Sequence, residues 1–171
     1  NFILFVLLVA TFLASLLDIL SSVGNSYIVK WSYSVRDVLN YGYLTVQNVM
    51  SYLFCLYIVF LTDLDSKMSR KKRRLFHIGL SMFYVTDIVL LLLNPFIREV
   101  FYYDSNGVYS HDWGMIVLYV NALVYMALSY FLMMRYGKEV RFVKKATVYL
   151  FLTASLVAVV FQIIIPTILL Q

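Results

Sequence analysis

The chain is poor in charge, cysteine, glycine and proline. Only 13% of its 171 residues are Asp, Glu, Lys or Arg, whereas 63% are hydrophobic. So few charges cannot cover the apolar surface of a water-soluble domain of this length. The bilayer is therefore expected to be the solvent for much of the chain. The one cysteine, Cys55, lies inside an apolar run. That excludes an intrachain disulfide and any Cys-based zinc or redox motif. With six glycines there is no phosphate-cradling loop, and no unwound transporter helix is evident apart from the break at Pro166. A nucleophile elbow and the paired carboxylates of an intramembrane protease are also missing. His77 and His111 are assigned below to opposite sides of the membrane and cannot share a metal. No catalytic residue, metal or cofactor is expected, and internal repeats are not evident.

What charge there is has a pattern. Eleven of the fourteen basic residues fall in two short connectors. The first, Asp63–Arg74, holds Lys67, Arg70, Lys71, Lys72, Arg73 and Arg74. The second, Arg135–Lys145, holds Arg135, Lys138, Arg141, Lys144 and Lys145. The net charge of +5 could suggest nucleic acid. Basic residues flanking apolar spans follow instead from the insertion rule, so no nucleic-acid partner is expected. A second role for the first cluster, Lys67 to Arg74, is attraction to anionic lipid headgroups.

A membrane helix needs roughly 20 mostly apolar residues. Five segments qualify, at about 1–20, 38–62, 75–96, 113–134 and 146–170. They are continuously apolar rather than alternating, so helices rather than barrel strands are predicted. The fold class is all-α, a polytopic transmembrane helix bundle. Both basic connectors are then cytoplasmic, in the cytoplasmic membrane of a bacterium. Connectors 21–37 and 97–112, with only Lys30, Arg36 and Arg98, lie outside. By parity the fifth span ends outside. The first residue is Asn1, directly followed by apolar residues. A piece of a longer protein is expected, five spans of a domain of six to eight.

Aromatic residues, among them Trp31, Tyr33, Tyr41, Tyr43 and Trp113, fit an outer interfacial belt. In the second outer connector, Asn106-Gly107 stands between aromatic and β-branched residues, which is a hairpin signal. Two readings stand for this segment. It is a lid over the outer mouth, formed by Asn94, Phe101, Tyr103, Asp104, Asn106, Gly107 and Tyr109, or a tight loop with anchoring tyrosines.

Each span carries polar residues at helical spacing: Thr11, Ser15 and Asp18; Gln47, Asn48, Ser51 and Cys55; Tyr84, Asp87 and Asn94; Asn121, Tyr125 and Ser129; Ser155, Gln162 and Pro166. Separations of three, four or seven put most on one face. At a rise of about 1.5 Å per residue, Asn121 lies roughly 12 Å and Asn48 roughly 15 Å in from the outer ends. The strongest polar groups thus lie at the midplane or outward of it. A ligand pocket of Asp18, Gln47, Asn48, Asp87, Asn121, Tyr125 and Gln162 is the functional reading, for a small ligand of unknown identity. Interhelical hydrogen bonds, each worth about 0.6 kcal/mol, are the structural one. Asp87 stands out, because no Lys or Arg occurs within any span. It is a cation- or proton-sensing group, or else a carboxyl bonded to Tyr125, Asn121 or a backbone carbonyl.

The Asn94-Pro95-Phe96 helix end, followed by Phe101-Tyr102-Tyr103-Asp104 and Asn106-Gly107-Val108-Tyr109, carries a resemblance. Helix one ending in Leu17-Asp18-Ile19-Leu20 and the Tyr-rich second helix add to it. The whole chain resembles the multi-helix N-terminal sensor regions of Firmicutes diguanylate cyclases with a C-terminal GGDEF domain, and related seven-span signalling receptors. That resemblance implies a membrane sensor, expected as a homodimer, relaying a cue to a cytoplasmic output domain. It implies further helices around the segment, including a sixth span downstream. No cyclase residues are present, so no catalytic role carries over. The rival expectations are a transporter or permease fragment and a passive membrane anchor.

Overall fold

The computed structural model describes residues 2–26 and 31–164, with side chains placed as far as Val157. Its element order is α1 (Phe2–Ser26), α2 (Tyr33–Leu61), a single turn α3 (Leu64–Lys67), α4 (Arg70–Ile97), β1 (Phe101–Tyr103), β2 (Tyr109–His111), α5 (Trp113–Tyr136), a 3-10 turn (Gly137–Glu139) and α6 (Phe142–Ile164). Four helices are long and apolar enough to cross a membrane: Phe2–Ser26, Tyr33–Leu61, Arg70–Ile97 and Trp113–Glu139. The predicted fifth span begins within α6, and its outer part, with Gln162 and Pro166, lies outside the described side chains.

The helices run further than apolar content alone predicts. Residues 21–37, expected as a connector, are mostly helical. α1 continues to Ser26, and α2 starts at Tyr33 behind Ser32, whose hydroxyl caps the Val35 N–H. Ser21, Asn25, Arg36 and Asn40 are polar, yet all four are buried against one another, so helix continues where hydropathy falls. The first basic connector is also shorter than expected. Ser69 takes the N-cap position and Arg70 to Arg74 form the first exposed turns of α4. Arg and Lys are good helix formers and their long side chains keep the charge in water.

Contacts sort the connectors into two ends. Lys67 Nζ lies 3.6 Å from Glu139 Oε2, which joins the two basic connectors at one end of the bundle. Arg36 Nη2 donates to the Gly107 carbonyl at 3.0 Å, which joins the α1–α2 junction to the hairpin at the other end. Two apolar clusters fill the interior. Phe54, Cys55, Ile58, Leu80, Tyr125 and Met133 form one toward the basic end, while Leu44, Leu91, Val100, Phe101, Met115 and Leu118 form the other beneath the hairpin. Along each helix the buried polar residues Asn48, Asp87 and Asn121 fall between the two clusters.

The hairpin is antiparallel, pairing Phe101 with His111, Tyr102 with Ser110 and Tyr103 with Tyr109. A two-residue type I′ turn would need positive φ at both Asn106 and Gly107. Only Gly107 has it, at 75°. The Gly107 N–H instead closes a turn on the Asp104 carbonyl at 2.9 Å, and Asp104 Oδ1 accepts from the N–H groups of Asn106 and Val108 at 2.8 Å each. This is the longer hairpin connection, a turn followed by a left-handed glycine.

Asn94 fixes the hairpin to α4. Its Oδ1 accepts from the Val100 N–H at 2.8 Å and the Phe101 N–H at 3.3 Å, and its Nδ2 donates to the Phe101 carbonyl at 3.0 Å and Tyr41 Oη at 3.1 Å. The exit then presses on α5, where the Gly114 N–H donates to the Glu99 carbonyl at 2.9 Å. A Cβ on Gly114 would lie 2.7 Å from that carbonyl oxygen, whereas a Cβ on Gly79 would meet nothing within 4 Å. Gly114→Ala is expected to destabilise the bundle by about 1–3 kcal/mol through overpacking of backbone on backbone. Gly79→Ala is expected to be neutral or to stabilise by up to about 1 kcal/mol through helix propensity. Unfolding of the two variants in maltoside micelles checks this, and equal midpoints would refute the close-approach role of Gly114.

Candidate functional site

The chemistry concentrates at the hairpin end, around one buried cation. Arg36 is 1% exposed although it carries a full charge. Among the described residues it makes no direct ion pair. Its guanidinium carbon stands 4.2 Å from the Tyr103 ring centroid and 5.6 Å from that of Tyr33. Nη2 donates to the Gly107 carbonyl, and Nε donates to Asn25 Oδ1 at 3.4 Å. Ring faces and carbonyl oxygens thus replace part of the hydration that burial removes.

Asn40 links this cation to α1. Its Oδ1 accepts from the Ser21 hydroxyl and from Asn25 Nδ2, the latter at 3.1 Å. Its Nδ2 donates to Tyr103 Oη at 2.9 Å. The Asp37 carboxylate lies beside Tyr103, close enough for its charge to act on the phenol. Burial first, and then the negative charge of Asp37, push the Tyr103 phenol up to about 12, so it keeps its proton and remains a donor at neutral pH. Burial likewise raises Tyr109. A continuous chain of hydrogen bonds therefore runs from Ser21 and Asn25 through Asn40 to Tyr103.

Asp37 opens onto a cleft of about 370 Å³ beside the hairpin. Tyr33, Tyr41, Tyr102 and Tyr103 supply aromatic walls, and Arg98 stands on the rim. The rings form one array, with centroids 5.4 Å apart for Tyr33 and Tyr103 and 4.8 Å for Tyr41 and Phe101. Arg98 is in the left-handed region, φ 55°, because it ends α4 by donating its N–H to the Asn94 carbonyl. Its side chain is exposed and makes no ion pair among the described residues.

The sequence-predicted pocket residues are distributed differently. Asp87 and Asn121 meet: Asn121 Nδ2 donates to Asp87 Oδ1 at 2.6 Å, while Asp87 Oδ2 has no partner among the described residues. Tyr125 lies one turn of α5 away and donates to the Leu80 carbonyl at 2.7 Å, not to Asp87. Asn48 turns back on its own helix, donating to the Leu44 carbonyl at 2.8 Å. Gln47 and Asp18 are half-buried, and the side chain of Gln162 lies outside the described residues. Of the lid residues, Asn94 and Phe101 are buried, Tyr103 and Tyr109 are half-buried in the aromatic array, and Asp104 and Asn106 are exposed at the turn. His77 Nε2 lies 2.9 Å from Asp65 Oδ1 at the basic end.

Sequence reading did not single out Arg36, Asn40, Asn25, Asp37 or Arg98 as site residues. The signal was present in part. Ser21 and Asn25 lie at the end of one apolar span and Arg36 and Asn40 at the start of the next, four residues apart in each pair. The chain matches no protein-family model, no curated protein and no solved structure.

Two outcomes follow. Tyr103→Phe removes the hydrogen bond from Asn40 but leaves the ring beneath Arg36, so it is expected to cost about 1 kcal/mol. Tyr103→Leu also strips the ring and is expected to cost about 1–2 kcal/mol more. Unfolding in micelles separates them, and equal losses would show that the ring face does not hold the guanidinium. At the other site, Asn121→Ala leaves a buried carboxyl without its donor and is expected to destabilise by about 1–2 kcal/mol. Asp87→Asn keeps an acceptor for Asn121 and is expected to cost less, and the reverse order in the same assay would refute the pairing.

Proposed function

We propose that this chain is the membrane-embedded input domain of a bacterial signalling protein, relaying an extracytoplasmic or membrane cue to a cytoplasmic output domain. The observation that carries the reading is the coupling of an open cleft to the helices through Tyr103. Any ligand that moves Tyr103 changes the partners of Asn40 and Arg36, and those residues join α1 to α2. Signals pass along helices as small shifts at packed interfaces of this kind. A passive anchor has no need of a buried charge beside a cleft.

In this reading the five spans lie across the bacterial cytoplasmic membrane with both basic connectors inside. The cluster from Lys67 to Arg74 sits at anionic headgroups. The hairpin and its cleft face outward, the assembly is a homodimer, and the output is a diguanylate cyclase. The sequence motifs support the last point, and the distribution of basic residues supports the orientation.

The test has two parts. In a Cys55→Ala background, Ser105→Cys at the turn is expected to react with a membrane-impermeant maleimide in intact cells, and Ser69→Cys only after permeabilisation. Both positions are exposed. The opposite pattern would invert the topology. In cells making the full-length protein, Tyr103→Phe is expected to change cyclic di-GMP by about fivefold or more, the lower range of ordinary allosteric coupling. An unchanged level at equal protein abundance would favour the anchor, and solute uptake into liposomes would favour a permease.

A further inference from the structure

We propose that the cleft beside the hairpin binds a small zwitterion, its ammonium held by Asp37 among the tyrosine rings and its acidic group held by Arg98. The inference rests on the input-domain reading and names the ligand class of that site.

The cleft offers one carboxylate, one guanidinium and the rings of Tyr33, Tyr41, Tyr102 and Tyr103. Aromatic faces attract ammonium groups through the ring quadrupole, and an adjacent carboxylate adds direct charge pairing. The geometry already uses this attraction once, since the Arg36 guanidinium carbon stands 4.2 Å from the Tyr103 ring centroid. Arg98, beside Asn94 and Pro95 on the rim, presents five N–H donors to solvent in a planar fork suited to a carboxylate or phosphate.

The charge balance selects between ligand classes. A simple organic cation bound at Asp37 leaves Arg98 unanswered, and a simple anion bound at Arg98 leaves Asp37 unanswered. A ligand carrying both charges pairs with each group. About 370 Å³ is at the small end of ordinary ligand sites, which suits an amino-acid-sized or headgroup-sized molecule. Binding would bear on Tyr103, which lines the cleft, and so on the chain of bonds that runs through Asn40 to Ser21 on α1.

The same chemistry occurs in a free solute and in the headgroup of a zwitterionic phospholipid. The experiment uses the whole chain in maltoside micelles and in nanodiscs, with binding read by calorimetry and by the unfolding midpoint. In micelles, phosphocholine and glycine betaine are expected to bind and to raise the midpoint. Choline alone and methyl phosphate alone are expected to bind at least about tenfold more weakly, the loss of one charge-assisted contact. Asp37→Asn keeps the shape of a half-buried side chain, and Arg98→Gln changes only an exposed one. Each is expected to keep the unliganded midpoint and to weaken phosphocholine by about tenfold or more.

Nanodiscs distinguish the two sources. If the ligand is a free solute, phosphocholine binds equally in phosphatidylglycerol and phosphatidylcholine discs. If it is a headgroup, phosphatidylcholine discs raise the midpoint and abolish the phosphocholine signal. Either result supports the zwitterion site. Choline binding as tightly as phosphocholine, insensitivity to Arg98→Gln, or no binding in any of these media would overturn it. None of those results touches the cyclic di-GMP response to Tyr103→Phe, so the site and the signalling reading fail separately.

Discussion

The hairpin end depends on accommodating one guanidinium away from water. Arg36 is buried without a direct ion pair among the described residues, and its charge is met by two tyrosine rings, a hairpin carbonyl and an asparagine oxygen. These partners come from α1, α2 and the hairpin. Removing any one leaves a buried charge less compensated, so the three segments are held by a single requirement. The arrangement explains why α1 and α2 stay helical through polar sequence, and why the hairpin folds back over their junction.

In the bundle interior a different constraint applies. Apolar side chains gain little by leaving lipid for protein, so close packing and a few polar bonds decide how membrane helices associate. The structure follows this economy. Asp87 and Asn121 form one bond between α4 and α5, placed between two apolar clusters. Asn48 and Ser51 meanwhile satisfy themselves on their own helix. At the hairpin junction, Asn94 uses both ends of its amide to fix backbone, which makes it an architectural residue rather than a free contact for a ligand.

The coupling of cleft to helix runs through Tyr103, whose ring and hydroxyl have separate duties. The ring stacks with Arg36, while the hydroxyl accepts from Asn40. Because Asp37 follows Arg36 directly in the chain, one turn of α2 presents a buried cation to the interior and an anion to the cleft. In the proposed sensory role, this one turn is where ligand chemistry would become helix displacement.

The membrane-length helices, their number up to α5, and the hairpin were legible from residues alone, because hydropathy runs and the Asn-Gly signal are local. So was the segregation of basic residues, which the pairing of Lys67 with Glu139 shows to be gathered at one end of the bundle. Helix ends were not legible between residues 21 and 37. There a polar stretch stays helical only because Ser21, Asn25, Arg36 and Asn40 satisfy one another across two helices. The turn type was decided by φ at Gly107 together with the Asp104 side chain. Periodicity put Asp87 and Asn121 on inward faces and made Asn121 one of three candidate partners; the packing of α4 on α5 selected it over Tyr125 and a backbone carbonyl. By itself the sequence determined which stretches are apolar enough to span and where positive charge accumulates. Which polar groups meet was decided by tertiary structure, because a hydrogen bond between distant segments depends on helix rotation and depth, and no local pattern encodes those.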